Sequence, residues 1–444
     1  MKHILILGAG RSAASLIRYI AAQASEASWH VVVGDIQQAL AEEKIAAYDH
    51  LEAILFDLSD EVTASKYVAE QDVVISLLPP ALHVTVAKLC LQHGVHLLTA
   101  SYVSEEMQAL HEEAQAKGLL FLNEVGLDPG IDHLSAMVLI EDIQAQGGKI
   151  EVFKSFTGGL IAPAYDNNPW HYKFTWNPQN VVLAGQGTAV YLAHNQTKLI
   201  PYQQLFKRIE PVTIQEYGAF EGYANRNSLK YKDLYNLQEV HTLLRGTLRR
   251  AGYCAAWDCF VQLGMTDPHT KMSTASLTRR SFLNTFLPYH PTKSVEEKFC
   301  AFFDLQPNDT IFAQMAWLGL FEEEEIVIPQ SKATPAQLLQ SILASKWVLA
   351  PSDKDMIVMQ HQFVYTLQNQ TRKLYADLVV IGEDTQHTAM AKTVGLPLGI
   401  TTKLLLEGQI PLRGVHIPTH PTLYKPILAN LKMYGIEFKM HEAG

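Results

Sequence analysis

The chain has 444 residues, long enough for two or three domains each with a full core. Hydrophobic residues make up 48% and charged residues 18%, which excludes a disordered chain. No apolar run approaches the roughly 20 residues that span a bilayer, and a net charge of −10 argues against nucleic acid as a partner, so neither membrane nor nucleic acid is expected.

MKHILILGAG runs directly into an apolar strand and a glycine turn rather than through a secretory or transit segment. Cys90, Cys254, Cys259 and Cys300 lack CxxC spacing and read as reduced, buried thiols, so a cytoplasmic location is expected. In HILILGAGRSAASLIRYIAAQ, Gly8, Gly10 and Ala13 form the G-x-G-x-x-A version of the dinucleotide fingerprint, with Arg11 and Ser12 inside the turn. Gly8 permits the tight turn, Gly10 lets a pyrophosphate approach the backbone, and Ala13 keeps the helix close to the sheet. The N–H groups at the helix start then face the phosphates. HVVVGD, AILFDL, DVVISLLPP, HLLTAS and LLFLNEVG follow as further strands separated by helical stretches. This is the pattern of a Rossmann-type doubly wound parallel sheet.

Asp35 selects the cofactor. A carboxylate about 20 residues beyond the glycine turn accepts both ribose hydroxyls of NAD and repels a 2′-phosphate. No Arg follows it in GDIQQA, so NAD is favoured, with NADP the alternative. Ligands of such sheets bind outside the carboxyl ends of the strands. That places Ile36, Asp57, Leu58, Ser76, Leu77, Leu78, Ala100, Ser101, Gly126 and Leu127 at the cofactor, Ser101 at the substrate as well, and Tyr102 and Asp128 at the substrate beside the expected nicotinamide.

Strand signals resume at IEVFKSFTGG, marking a boundary near Gly148. The expected division is a dinucleotide-binding domain over 1–147, a mixed α/β substrate and dimerisation domain over 148–268 and 346–419, and a small α-helical insertion over 269–345. The stretch LNEVGLDPGIDHLSAM raises its own question, since Asp128, a Pro-Gly turn, Asp132 and His133 fall together. Asp132 reads as a helix-start carboxylate. No metal site is expected from Asp128, Asp132 and His133, because no second histidine cluster supports one. His361 reads as a core histidine.

HLLTASYVSEEM followed by FLNEVGLDPGIDHL resembles the signature of the saccharopine reductases, the L-glutamate-forming saccharopine dehydrogenases. SFTGGLIAPAYDNNPWHYKFTWNP, EGYANRNSLKYKDLYNLQEVHTLLRGTLRRAGY, SDKDMIVMQHQF and GEDTQHTAMAKTVGLPLGITTKLLLEGQI resemble later blocks of that family, so the likeness covers nearly the whole chain. The chain departs from the pattern in four places. Phe156-Thr157-Gly158-Gly159 stands for Tyr-Cys-Gly-Gly, and Leu160-Ile161-Ala162-Pro163-Ala164 for Leu-Pro-Ala-Pro-Glu. Ala224-Asn225-Arg226-Asn227 stands for Pro-Asn-Arg-Asp, and Asp35 is found where fungal members carry an Arg suited to NADP.

The resemblance implies an oxidoreductase of lysine metabolism acting on the CH–NH bond of saccharopine. Its substrates would be saccharopine or, in the other direction, L-glutamate and 2-aminoadipate 6-semialdehyde, joined through an imine. It also implies a homodimer, and a last segment, about 420–444, that returns to the first domain. Saccharopine carries three carboxylates and two amines and needs guanidinium partners. Arg226 in YANRNS and Arg245 with Thr247 in LLRGTLRR meet that need, while Arg249 and Arg250 read as structural extensions of the cluster. Tyr102 and Asp128 chiefly position the amine, and either is also a candidate acid or base. Trp176 either reaches the cofactor from the second domain or is a buried strand aromatic. Two other readings are an imine reductase such as a carboxynorspermidine synthase, and an NAD-binding sensor without turnover.

Overall fold

The run HILIL offers no polar residue to water after its first position. In the computed structural model, which describes residues 1–443, it forms β1 (His3–Leu7), buried from Ile4 on. The alternation continues with α1 (Ala14–Ala27), β2 (His30–Asp35), α2 (Gln38–Ile45), β3 (Leu51–Leu55), α3 (Glu61–Ala69), β4 (Val73–Ser76), α4 (His83–His93), β5 (His96–Thr99) and β6 (Leu120–Leu122). These six strands and Gly414–His416 make a seven-stranded sheet in the order Gly414–His416, β6, β5, β4, β1, β2, β3. Every pairing in it is parallel. Strand order reverses at β1, which lies between β2 and β4, and the crevice outside the carboxyl ends opens there.

The chain divides into two compact units, Met1–Lys149 with Leu378–Met440, and Ile150–Asp377 with the residues from His441 on. Residues 378–419 therefore group with the first unit, whereas the sequence expectation kept them with the second. The physical reason is the helix Ala389–Leu406, which packs on α1 at two glycines. A Cβ on Gly395 would stand 2.6 Å from Leu16 N, and one on Gly399 2.5 Å from Tyr19 Cδ1. The helix Pro421–Lys432 also lies in the first unit, where Tyr424 and Lys425 bond Glu141. The last strand, Lys439–Ala443, joins the other sheet beside Gln370–Ile381.

That second sheet is mixed and runs Ile209–Ile214, Gly218–Ala224, Thr242–Arg250, Lys149–Ile161, Asp355–Leu367, Gln370–Ile381, Lys439–Ala443. Thr242–Arg250 pairs antiparallel to Gly218–Ala224 and parallel to Lys149–Ile161. The helices Arg279–Phe286, Val295–Phe303 and Pro335–Lys346 each open on a capping box, from Thr278, Ser294 and Thr334. His361 is buried in the second sheet, 5.7 Å from the Phe153 ring. Among the described residues no helix is long and apolar enough to cross a membrane, and no group of three or more His, Cys, Asp or Glu side chains is arranged for a metal ion.

Candidate active site

The turn from β1 to α1 is built around Asp35. Its Oδ2 accepts the Ala9 N–H at 2.8 Å, and its Oδ1 accepts the Gln37 N–H at 2.9 Å. The last residue of β2 thus holds the glycine turn from the neighbouring strand, and each oxygen keeps a second lone pair. Gly8 adopts φ +98°, with the Leu77 backbone 3.1 Å from where a Cβ would be. A side chain there would be strained and crowded. At Gly10 nothing lies within 4 Å of a Cβ position, and no side chain caps the first turn of α1 after the buried Ala13. Open space over a glycine, at an uncapped helix start, suits a pyrophosphate. A dinucleotide fits this cradle on the strength of those two features.

The flanking positions differ in kind. Arg11 is exposed and Ser12 half-buried at the turn; Ile36 is exposed beyond β2. Asp57 directs Oδ1 to Ser59, accepting both the N–H and the hydroxyl at 2.8 Å, which holds its carboxyl below the usual range. Leu58 and Leu78 pack against the apolar core of the sheet, and Leu77 donates its N–H to Leu7 O at 2.8 Å.

Ser76, Ala100 and Ser101 lie at the ends of β4 and β5, and a residue absent from the sequence reading links the two serines. His83, the first residue of α4, is buried with Nδ1 2.9 Å from Ser76 Oγ and Nε2 2.7 Å from Ser101 Oγ. Thr99 Oγ1 stands 3.3 Å from the same Nε2. Burial pushes the imidazole down to about 4, so it is neutral near pH 7.

The loops after β5 and β6 meet where Tyr102 OH donates to Asp128 Oδ1 at 3.1 Å. Beneath them Glu124, fully buried and at φ 61°, accepts the Val103 N–H on Oε1 at 3.1 Å and donates its own N–H to Ser101 O at 3.0 Å. His133 Nε2 lies 2.8 Å from Glu124 Oε2. Gly126 N–H donates to Pro129 O at 3.0 Å, and Asp132 Oδ1 accepts the Gly130 N–H at 2.6 Å. Gly126 sits so close to Ala100 that a Cβ would come within 2.9 Å of it, and Leu127 is buried. The Asp128–Pro129 peptide is cis. In that stretch Glu124, Asp132 and His133 are bonded into the frame of the loop, while Asp128 meets Tyr102. The readable trace of Glu124 was an acid placed inside the apolar run FLNEVGL.

In the second unit, Arg226 is exposed at φ 51° after the strand Gly218–Ala224, and its carbonyl accepts the Val190 N–H at 2.8 Å. The preceding Asn225 donates its N–H to Arg245 O at 2.8 Å, which ties the two arginine segments together. Arg245 is buried, its guanidinium 4.2 Å over the Tyr231 ring and its N–H bonded to Ser228 Oγ at 2.9 Å. Alternation along Thr242–Arg250 puts Arg245, Thr247 and Arg249 on one face, where Thr247 is the register partner of Thr157 and Tyr223.

Arg249, read from sequence as structural, is buried among the rings of Tyr172, Tyr223 and Tyr253 at 5.1, 5.9 and 5.2 Å. The Tyr172 hydroxyl is within reach of Trp176, whereas the Arg249 Nε and the Thr157 hydroxyl are buried with no hydrogen-bond partner among the described residues. Buried polar groups in this state call for an acceptor. Trp176 is half-buried in a bend before the helix Pro178–Val182, not in a strand.

Residues 4–122 match the model of the saccharopine dehydrogenase NADP binding domain, and residues 126–436 that of the saccharopine dehydrogenase C-terminal domain. The chain is 33% identical over 447 residues to the saccharopine dehydrogenase [NADP(+), L-glutamate-forming] of Saccharomyces cerevisiae, covering 99% of this chain and 98% of that one. An apo structure of the L-Glu-forming saccharopine dehydrogenase of that yeast superposes with a TM-score of 0.89 at 32% identity, covering 100% of both chains. The mitochondrial alpha-aminoadipic semialdehyde synthase of Bos taurus is 34% identical over 450 residues; that match covers 98% of this chain and 47% of that protein, so the chain spans about half its length.

Proposed function

The chain belongs to the saccharopine dehydrogenase family, and from that premise we propose that it is an L-glutamate-forming saccharopine dehydrogenase that uses NAD. It interconverts saccharopine with L-glutamate and 2-aminoadipate 6-semialdehyde. The observation that carries this reading is the pair of loops in which Tyr102 meets Asp128 at the carboxyl edge of a dinucleotide-type sheet. A bound nicotinamide dinucleotide supplies the hydride acceptor or donor.

The chain's own residues do the rest. Gly8, Gly10, Arg11, Ser12 and Ala13 hold the pyrophosphate, and Asp35 takes the ribose hydroxyls with the lone pairs left after its bonds to Ala9 and Gln37. Two features support NAD over the NADP named for the yeast relative: the Asp35 carboxylate would repel a 2′-phosphate, and no Arg follows it in GDIQQA. Asp128 positions the secondary amine, and Tyr102, hydrogen-bonded to it, fixes the carboxylate's direction. Arg226, Arg245 and Thr247 receive substrate carboxylates. Arg249 joins them: its buried guanidinium has an Nε without a partner among the described residues and sits on the same strand face as Arg245 and Thr247, which suits a carboxylate.

Mass analysis of the products from saccharopine and NAD tests the reaction. Glutamate and the semialdehyde are expected. Lysine and 2-oxoglutarate would place the cleaved bond on the other side of the nitrogen and overturn the assignment.

A further inference from the structure

His83 bridges two hydroxyls at the carboxyl edge of the first sheet, and its protonation pattern decides what one of them can do. Ser76 is fully buried, and among the described residues its hydroxyl bonds to His83 Nδ1, 2.9 Å away. Ser101 is half-buried and lies 2.7 Å from Nε2 on the other side of the ring. A neutral imidazole has one donor and one acceptor nitrogen, so two arrangements are open. With the proton on Nδ1, the ring would donate to Ser76 and leave the hydrogen of that buried hydroxyl with no acceptor among the described residues. With the proton on Nε2, Ser76 O–H donates to Nδ1 at 2.9 Å, and the hydrogen left over is that of the buried Thr99 hydroxyl, which stands 3.3 Å from Nε2. Each arrangement leaves one buried hydroxyl hydrogen unmet, and the second keeps the 2.9 Å bond from Ser76 in place of the 3.3 Å one from Thr99, so the second prevails. Nε2–H then donates to Ser101 Oγ, with Thr99 Oγ1 taking the lesser share at 3.3 Å. Ser101 N–H is already given to Thr99 Oγ1 at 3.2 Å. The Ser101 hydroxyl has therefore received its hydrogen bond from the protein, and its own hydrogen is left for the ligand.

We propose that His83 is a positioning residue that makes Ser101 a hydrogen-bond donor to an acceptor oxygen of the bound ligand, either the cofactor's carboxamide or a substrate carboxylate. The idea rests on the dinucleotide reading of this sheet edge, but its first test does not depend on turnover.

Nitrogen NMR of the whole protein with labelled histidine reads the tautomer directly, the His83 signal being the one missing in His83→Gln. A protonated Nε2 is expected, and a protonated Nδ1 overturns the proposal even if the enzyme oxidises saccharopine as proposed. The second test compares variants. Ser101→Ala and His83→Leu should each weaken ligand binding about tenfold, with no further loss when combined, because both remove one donor. His83→Gln should recover part of the loss, since its amide N–H can still reach Ser101. A rise confined to the Kd of the reduced cofactor assigns the acceptor to the carboxamide; a rise confined to the substrate KM, with kcat held, assigns it to a carboxylate. Additive losses in the double variant would show that His83 acts otherwise than through Ser101. Thermal melting separates these effects from misfolding.

Discussion

Asp35, Arg245 and Asp128 carry different chemistry, and each has its own prediction. Asp35→Asn keeps an oxygen for the Ala9 N–H but removes the charge, so the NAD-over-NADP ratio in kcat/KM should fall about tenfold or more. An unchanged ratio would remove that carboxylate from cofactor choice. Arg245→Lys keeps the charge but loses the planar fork and the full stacking on Tyr231; the saccharopine KM should rise about tenfold, equivalent to ~1.4 kcal/mol. Asp128→Ala should lower kcat/KM about a hundredfold, through lost placement of the amine beside Tyr102. The same loss from Asp132→Ala with an unaltered melting temperature would contradict the proposal that Asp128 places the amine while Asp132 only holds the loop. The places of Asp35 and Asp128 were legible because one ends β2 and the other follows β6 in a Pro-Gly turn. Those of His83 and Arg249 were not. His83 sits in an ordinary helical pattern, ALHVTVAKLC, and meets Ser76 and Ser101 only because β4 and β5 pair in parallel. Arg249 looked like one more residue of a basic run until strand alternation and three tyrosine rings enclosed it.

At the scale of elements, burial of a histidine and close helix packing both leave measurable marks. His83 drops from an ordinary value of 6.5 to about 4 on folding because burial disfavours its charged form. Its contribution to stability is therefore complete above the unfolded value and is lost as pH falls through the folded one. Between pH 7 and pH 4 the folding free energy should decline by up to about 3 kcal/mol from this group, and the decline should be smaller in His83→Gln under chemical denaturation. Gly395→Ala would push a methyl against the Leu16 backbone and should destabilise the first unit by about 1–3 kcal/mol, read as a lower denaturation midpoint. That contact also explains what sequence could not supply. Alternating apolar runs and helical periods gave the parallel strands in order, since those patterns are local. The return of the chain at Leu378 depends on Gly395 and Gly399 meeting α1, a pairing of segments far apart that no local pattern announces.

For the whole molecule, the seven-stranded parallel sheet presents a cofactor cradle and the Tyr102–Asp128 pair, and the mixed sheet of the second unit presents three guanidinium groups on or beside one strand face. The proposed substrate, saccharopine, carries three carboxylates and a secondary amine, and its oxidation is the central claim. The deciding measurement is the appearance of reduced cofactor when the purified full chain is given saccharopine, with NAD and NADP in parallel. The account predicts turnover with a higher kcat/KM for NAD. No reduction with either cofactor, in a preparation that binds the reduced dinucleotide, would contradict it.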